Sequence, residues 1–173
     1  MRNESVIGNA AMSTQYKSGY KLRDLKAFIE KVVGKRIATR MECEMDSVSL
    51  KLTTKHMGNG FDLMHQQYVA EFLFEKFPHT QYDPAVLFAN IGAWLMDNDS
   101  DRDEFDELGD PEVDVVIEDE TSAEILITIA FDEPVKIVED KDGLVYWRGK
   151  RWSIQEYDIY IAEKFQSKVA IRD

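Results

Sequence analysis

A chain of 173 residues has the length of one compact domain and can bury a working core. With 44% hydrophobic and 11% aromatic residues it is not disordered, and with a net charge of −12 it is no general nucleic-acid binder, because phosphate affinity needs clustered Lys and Arg. No apolar run reaches the roughly 18–20 residues a membrane helix needs. The opening Met1-Arg-Asn-Glu-Ser lacks the apolar stretch of a secretory signal, and the lone Cys43 excludes an internal disulfide or a multi-cysteine metal site. The expectation is a chain made in, and kept in, a reducing cytoplasm, with no membrane partner.

Residues 1–19 are small and polar without periodicity and read as an N-terminal arm that is flexible or ordered by a partner. From Tyr20, Leu22, Leu25, Ile29, Val32 and Val33 recur at helical spacing, with Gly34 placed to end the helix and a basic outer face. Ser47–Thr53 alternates as a strand with one wet face, Gly58-Asn59-Gly60 is a turn, and Tyr68–Glu75 is a second strand ended by Phe77-Pro78. Asp83-Pro84 predicts a helix start, an N-cap followed by proline at the first helical position. The helix that follows has only Asn90 interrupting its apolar run as far as Met96, so it is either deeply buried or packed on a second subunit.

After an acidic loop, Val113–Glu118 and Glu124–Phe131 alternate as strands, and Asp119–Ser122 reads as their hairpin turn. The second strand continues past Pro134, which marks an edge position or a bulge. Leu144–Trp147 and Arg151–Ile154 flank Arg148-Gly149-Lys150 as a short hairpin, and Tyr157, Ile159 and Ile161 suggest a further strand. The order helix, two strands, helix, two strands predicts an α+β fold: a mixed or mainly antiparallel sheet with two main helices on one face and a C-terminal β-hairpin extension. The domain reading is an arm at 1–19, a core domain at 20–143 and the β extension at 144–173.

Charge is polarised along the chain. Residues 1–40 carry net +6, residues 97–142 net −16, and residues 143–173 net +2. This is either a solvated surface or a head-to-tail contact between identical copies, which closes into a ring when the rotation permits.

Chemistry is harder to find. Asp97-Asn98-Asp99-Ser100-Asp101 alternates oxygen ligands as a calcium loop does, but a register from Asp97 puts Arg102 where glycine is required and Leu108 where the bidentate acid belongs. His56, His65 and His79 lack metal-ligand spacing, and Asp62 has no matched base or nucleophile. No phosphate-binding or nucleophile-elbow motif occurs, so the expectation is no catalytic residue, no metal and no cofactor. Trp94 reads as core. Trp147 and Trp152, flanking Arg148, Lys150 and Arg151, suit equally an interface hot spot and a stacked structural hairpin.

The span from Tyr68 to about Gly143 resembles the tail-completion protein R family of temperate contractile-tailed phages. The likeness rests on a strand, a helix ending Ala93-Trp94-Leu95, a variable loop, and a strand closing on Ile129-Ala130-Phe131-Asp132-Glu133-Pro134-Val135; the helix starting near Leu22-Arg23-Asp24-Leu25 is similar to the family's first helix. The long acidic loop, residues 1–19 and the two-tryptophan hairpin depart from the pattern. The resemblance implies a structural tail terminator: a ring, of six copies, on the head-proximal end of the tail tube that stops polymerisation and docks the head connector. Its implied partners are itself and the tube, sheath and neck proteins, with DNA passing through without specific binding. On that reading Asp97, Asp99, Asp101, Asp103, Glu104, Asp106 and Glu107 are the candidate ring or lumen acidic surface. Lys21, Arg23, Lys26, Lys31, Lys35 and Arg36 are the candidate basic intersubunit face, and Trp147, Arg148, Lys150, Arg151 and Trp152 the candidate partner-contact hairpin. The competing reading is an acidic binding or inhibitory protein that occupies a basic partner surface through Asp97–Glu120.

Overall fold

The computed structural model describes residues 19–104 and 107–155, so the arm at 1–18 and the strand expected around Tyr157 lie outside the described residues. The elements are α1 (Tyr20–Val33), α2 (Lys35–Ala38), β1 (Met41–His56), β2 (Phe61–Phe77), α3 (Pro84–Asn98), a 3-10 turn (Ser100–Glu104), β3 (Glu112–Ile117), β4 (Ala123–Glu139), β5 (Val145–Trp147) and β6 (Lys150–Ile154). The strands form one six-stranded antiparallel sheet in the order β1-β2-β4-β6-β5, with β3 also on β4. The α+β expectation holds, with longer strands than the alternation alone marked out.

The described residues fall into two compact units, one of 19–51 and 66–133, the other of 52–65 and 134–155. In the first, every second residue of β2 (Tyr68, Ala70, Phe72, Phe74) and of β4 (Ala123, Ile125, Ile127, Ile129, Phe131) is buried, and α1 and α3 cover that face with Leu25, Ile29, Leu87, Ile91 and Leu95. Each of the Leu, Ile and Phe side chains stabilises the fold by about 1.5–3 kcal/mol on leaving water.

The caps follow the sequence. Asp83 accepts from the Ala85 N–H at 2.9 Å with Pro84 behind it, and the Gly34 N–H closes α1 on the Glu30 carbonyl. The β3–β4 turn is the expected one, because the Asp119 carboxylate accepts from the Thr121 and Ser122 N–H groups at 2.8 and 2.7 Å.

Of the two alternatives for α3, deep burial does not hold within one copy: Leu87, Ile91 and Leu95 form its one fully buried stripe, Phe88 and Trp94 pack at its margin, and Val86 and Met96 face outward, Met96 at 75% exposure, so packing on a second subunit is the alternative left. A helix apolar all round can bury only the stripe its single sheet face covers. Ser47–Thr53 is not half-buried: β1 is exposed on both faces beyond Met45, and the positive φ of Ser47 breaks its alternation. Pro134 lies between the stretch of β4 paired with β3 (Ala123–Thr128) and the stretch paired with β6 (Ile137–Glu139), where its missing N–H costs no bond to either strand.

In the second unit, β5 and β6 form the expected hairpin around Arg148-Gly149, both at positive φ (51° and 71°), the geometry of a two-residue turn that matches strand twist. Gly143 lies against the Trp152 backbone so closely that a Cβ would meet its carbonyl carbon and oxygen within 2.2 Å. Backbone cannot yield as a flexible side-chain end can. Gly143→Ala is therefore expected to unpair the hairpin, read as loss of slow amide exchange at Trp152 and Ser153, while the first unit keeps its exchange protection. The Asp119 turn gives a pH signature. Its hydrogen bonds to the Thr121 and Ser122 amides hold the exposed carboxyl down to about 2, so their support is intact above the ordinary carboxylate range and is lost as pH falls towards 2. The Thr121 and Ser122 amide shifts should stay constant from neutral pH to about 4 and then move together, with an apparent midpoint near 2.

Candidate functional site

α1 begins at Gly19, which has no side chain to cap it, and its first turn carries no acid. The orphan donors are met from β2 and β4. Glu133, fully buried, accepts from the Gly19 N–H at 2.9 Å, the Lys21 N–H at 3.3 Å and the Tyr68 hydroxyl, and that hydroxyl accepts from the Leu22 N–H at 3.1 Å. A carboxylate at a helix N-terminus satisfies both its open N–H groups and its dipole.

The Lys21 side chain turns inward and pairs with Asp99 at 2.5 Å, with Asp101 at 3.6 Å. The other Asp99 oxygen takes Arg102 at 2.7 Å, and Arg102 donates onward to the Gly109 and Ala130 carbonyls while stacking at 5.9 Å over Phe131. Burial pushes the Asp99 carboxyl up from its ordinary range, and Lys21 and then Arg102 pull it back. Beside this network Asp132, also buried, accepts from Gln67 at 2.9 Å.

The expected charged surfaces are thereby redrawn. Lys21 and Asp99, expected on the basic intersubunit face and the acidic surface, are buried as a pair within one copy, because Asp99 caps the C-terminus of α3 and meets the start of α1. Arg23, Lys31, Lys35 and Arg36 stay exposed and Lys26 half-exposed, held by Glu30 at 3.2 Å. Asp97, Asp103, Glu104 and Glu107 are exposed and Asp101 half-buried; Asp106 lies outside the described residues. A cleft of about 230 Å³ between Arg36, Arg40, Lys76 and Thr121 extends the basic side.

The hairpin cations are largely engaged. Arg148 lies 4.3 Å over Trp147 and 5.6 Å over Phe61, Arg151 donates to the Gly143 carbonyl at 2.7 Å, and Lys150 meets Glu139 at 3.2 Å. Trp152 is buried, its indole N–H on the Trp147 carbonyl, and Phe61 stands edge-on to both tryptophans at 4.8 and 5.5 Å. The stacked-hairpin alternative describes Trp152. Tyr146 and Leu144 are the hairpin's outward apolar residues.

Sequence reasoning missed Glu133, Tyr68, Arg102 and Phe61 as organising residues. The signal for Glu133 was present: two acids inside the apolar run Ile129–Val135 are too costly to bury unpartnered. Among the described residues no group of three His, Cys, Asp or Glu side chains could hold a metal ion, and no helix is long and apolar enough to cross a membrane.

Residues 19–156 match the family described as P2 phage tail completion protein R (GpR). The chain belongs to this family. The match opens at Gly19, the residue that Glu133 holds, and runs just past β6. An "uncharacterized 19.2 kDa protein in rep-hol intergenic region" of Haemophilus phage HP1 (strain HP1c1) is 34% identical over 113 residues, 65% of this chain and 68% of that protein. No solved structure matches. The family is one of structural tail completion proteins, so the chain serves virion assembly at the phage tail.

The Glu133 knot should be sensitive to a near-isosteric change. Glu133→Gln turns one acceptor into a donor facing donors, and is expected to cost about 1–3 kcal/mol in urea unfolding. Tyr68→Phe should cost about 1 kcal/mol, and the double variant less than the sum because the two groups bond each other.

Proposed function

We propose that the protein is the terminator of a contractile phage tail: copies assemble as a ring, of six subunits, on the head-proximal end of the tail tube, stop its polymerisation and offer the docking surface for the head connector. The observation that carries this reading is membership of the tail completion family across 19–156. The surfaces support it. The helix-bearing unit keeps an exposed basic set (Arg23, Lys31, Lys35, Arg36) and an exposed acidic set (Asp97, Asp103, Glu104, Glu107), and opposite charges on one subunit suit a heterologous contact that closes by rotation. The exposed apolar residues of α3, Val86 and Met96, suit burial against neighbouring tail proteins such as tube or sheath. DNA passes such a ring without specific contact, since a chain of net charge −12 repels phosphate. No catalysis is assigned.

Electron microscopy of particles made with and without the chain tests this. Overlong or headless tails in its absence are the expected result, and tails of normal length with heads attached would refute the reading. Replacing Asp97, Asp103, Glu104 and Glu107 by their amides should weaken capping in a salt-dependent manner. If that variant instead left tails normal and abolished binding to a basic partner, the acidic binding protein acting through Asp97–Glu120 would be the correct alternative.

A further inference from the structure

We propose that subunits join through a strand ladder in which the outer edge of β3 in one copy pairs with the edge of β1, at Ser47–Lys51, in a second copy. The proposal rests on the ring reading and supplies its interface. β3 is paired with β4 alone, and β1 ends the strand order with only β2 beside it, so among the described residues each keeps one row of backbone N–H and C=O groups without a strand partner. Such rows are templates for another chain unless they are covered or made incompatible.

The faces of β3 are unusual for an edge meant for water. Its register sets Val113, Val115 and Ile117 on the face where β4 buries Ile127, Ile125 and Ala123, yet these three are 44%, 42% and 63% exposed. The apolar face of the sheet thus runs on past the cover that the helices provide. On β1, Val48 and Leu50 are likewise exposed, at 51% and 59%, and share one face of the strand with Ser49 and Lys51 on the other.

Charge decides which edge meets which. Residues 112–118 carry Glu112, Asp114 and Glu118 with no cation, so joining two β3 edges would bring carboxylates together. Ser47–Lys51 carries one cation and no carboxylate. An antiparallel ladder with Lys51 opposite Glu112 sets Leu50 opposite Val113, Ser49 opposite Asp114 and Val48 opposite Val115. Apolar then meets apolar on one face and Lys51 lies among carboxylates on the other. The contact uses different patches on the two copies, which is what a ring requires and an isologous dimer does not.

The test is a double-cysteine chain, Leu50→Cys with Val113→Cys, assembled into tails and oxidised. Directly opposed residues in an antiparallel pair lie about 4.5–5.5 Å apart at Cα, within disulfide reach. Cys43 does not compete, because burial pushes its thiol up to about 11 and keeps it protonated at neutral pH. A non-reducing gel should show a ladder of multimers that ends at the ring size. Monomers alone, including fast-migrating internally bonded ones, or bonds only to other tail proteins, would overturn the proposal. Charge reversal is a second measurement that spares the backbone: Lys51→Glu or Glu112→Lys should each cut the copies retained per tail about tenfold, and the two together should restore them. Failure of the double reversal to restore retention overturns the pairing. Tails of normal length that carry the chain without a ladder overturn the pairing and leave the terminator reading intact; a ladder in tails whose length ignores the chain does the opposite.

Discussion

The first unit depends on a buried carboxylate. Glu133 stands at the uncapped start of α1 and is held there by backbone donors of Gly19 and Lys21 and by the Tyr68 hydroxyl, so one side chain fixes a helix against two strands. A carboxyl without these donors would be an unpaired polar group at full burial. The helix start would likewise be left with open N–H groups away from water. Each half makes the other affordable, and the entry of the chain into α1 is set by that reciprocity.

From α1 the same logic passes through Lys21 to Asp99, and through Arg102 back to β4 and to the loop after the 3-10 turn. One cation of the basic helix, Lys21, and one buried carboxylate of the acidic loop, Asp99, are therefore engaged inside one subunit. What stays outside is smaller and better defined: a basic stretch on α1 and α2, an acidic stretch around the 3-10 turn, and strand edges whose apolar rows the helices do not cover. For a protein of a tail completion family, surface left unfinished by the fold is what the proposed assembly would use. The hairpin unit solves a different problem. Besides the buried Val135 and Ile137, its strands are tied by interlocked rings of Phe61, Trp147 and Trp152 with Arg148 laid over two of them.

Local chemistry was readable from the sequence. Asp83-Pro84, Asp119–Ser122 and Arg148-Gly149 each contain the side chain or the backbone freedom their turn needs, so the caps and hairpins follow from a few neighbouring residues. Alternation gave β3 and β4, and their antiparallel class followed from the short connection. The family resemblance also reached the right family, through residues of β4 that prove to be largely buried and, in α3, through Ala93-Trp94-Leu95, of which only Leu95 is buried.

Tertiary structure alone decided which charges and which apolar residues are spent. Asp97, Asp99 and Asp101 look alike in sequence, yet Asp99 is buried between two cations, Asp101 is half-buried and Asp97 is in water. Leu50 and Phe72 both sit in apolar strand patterns, and only Phe72 lies beneath helices. The reason is range. Caps, turns and strand periodicity depend on residues a few positions apart, whereas burial and ion pairing depend on partners such as Gly19 and Glu133, 114 residues apart, that only the folded chain brings together.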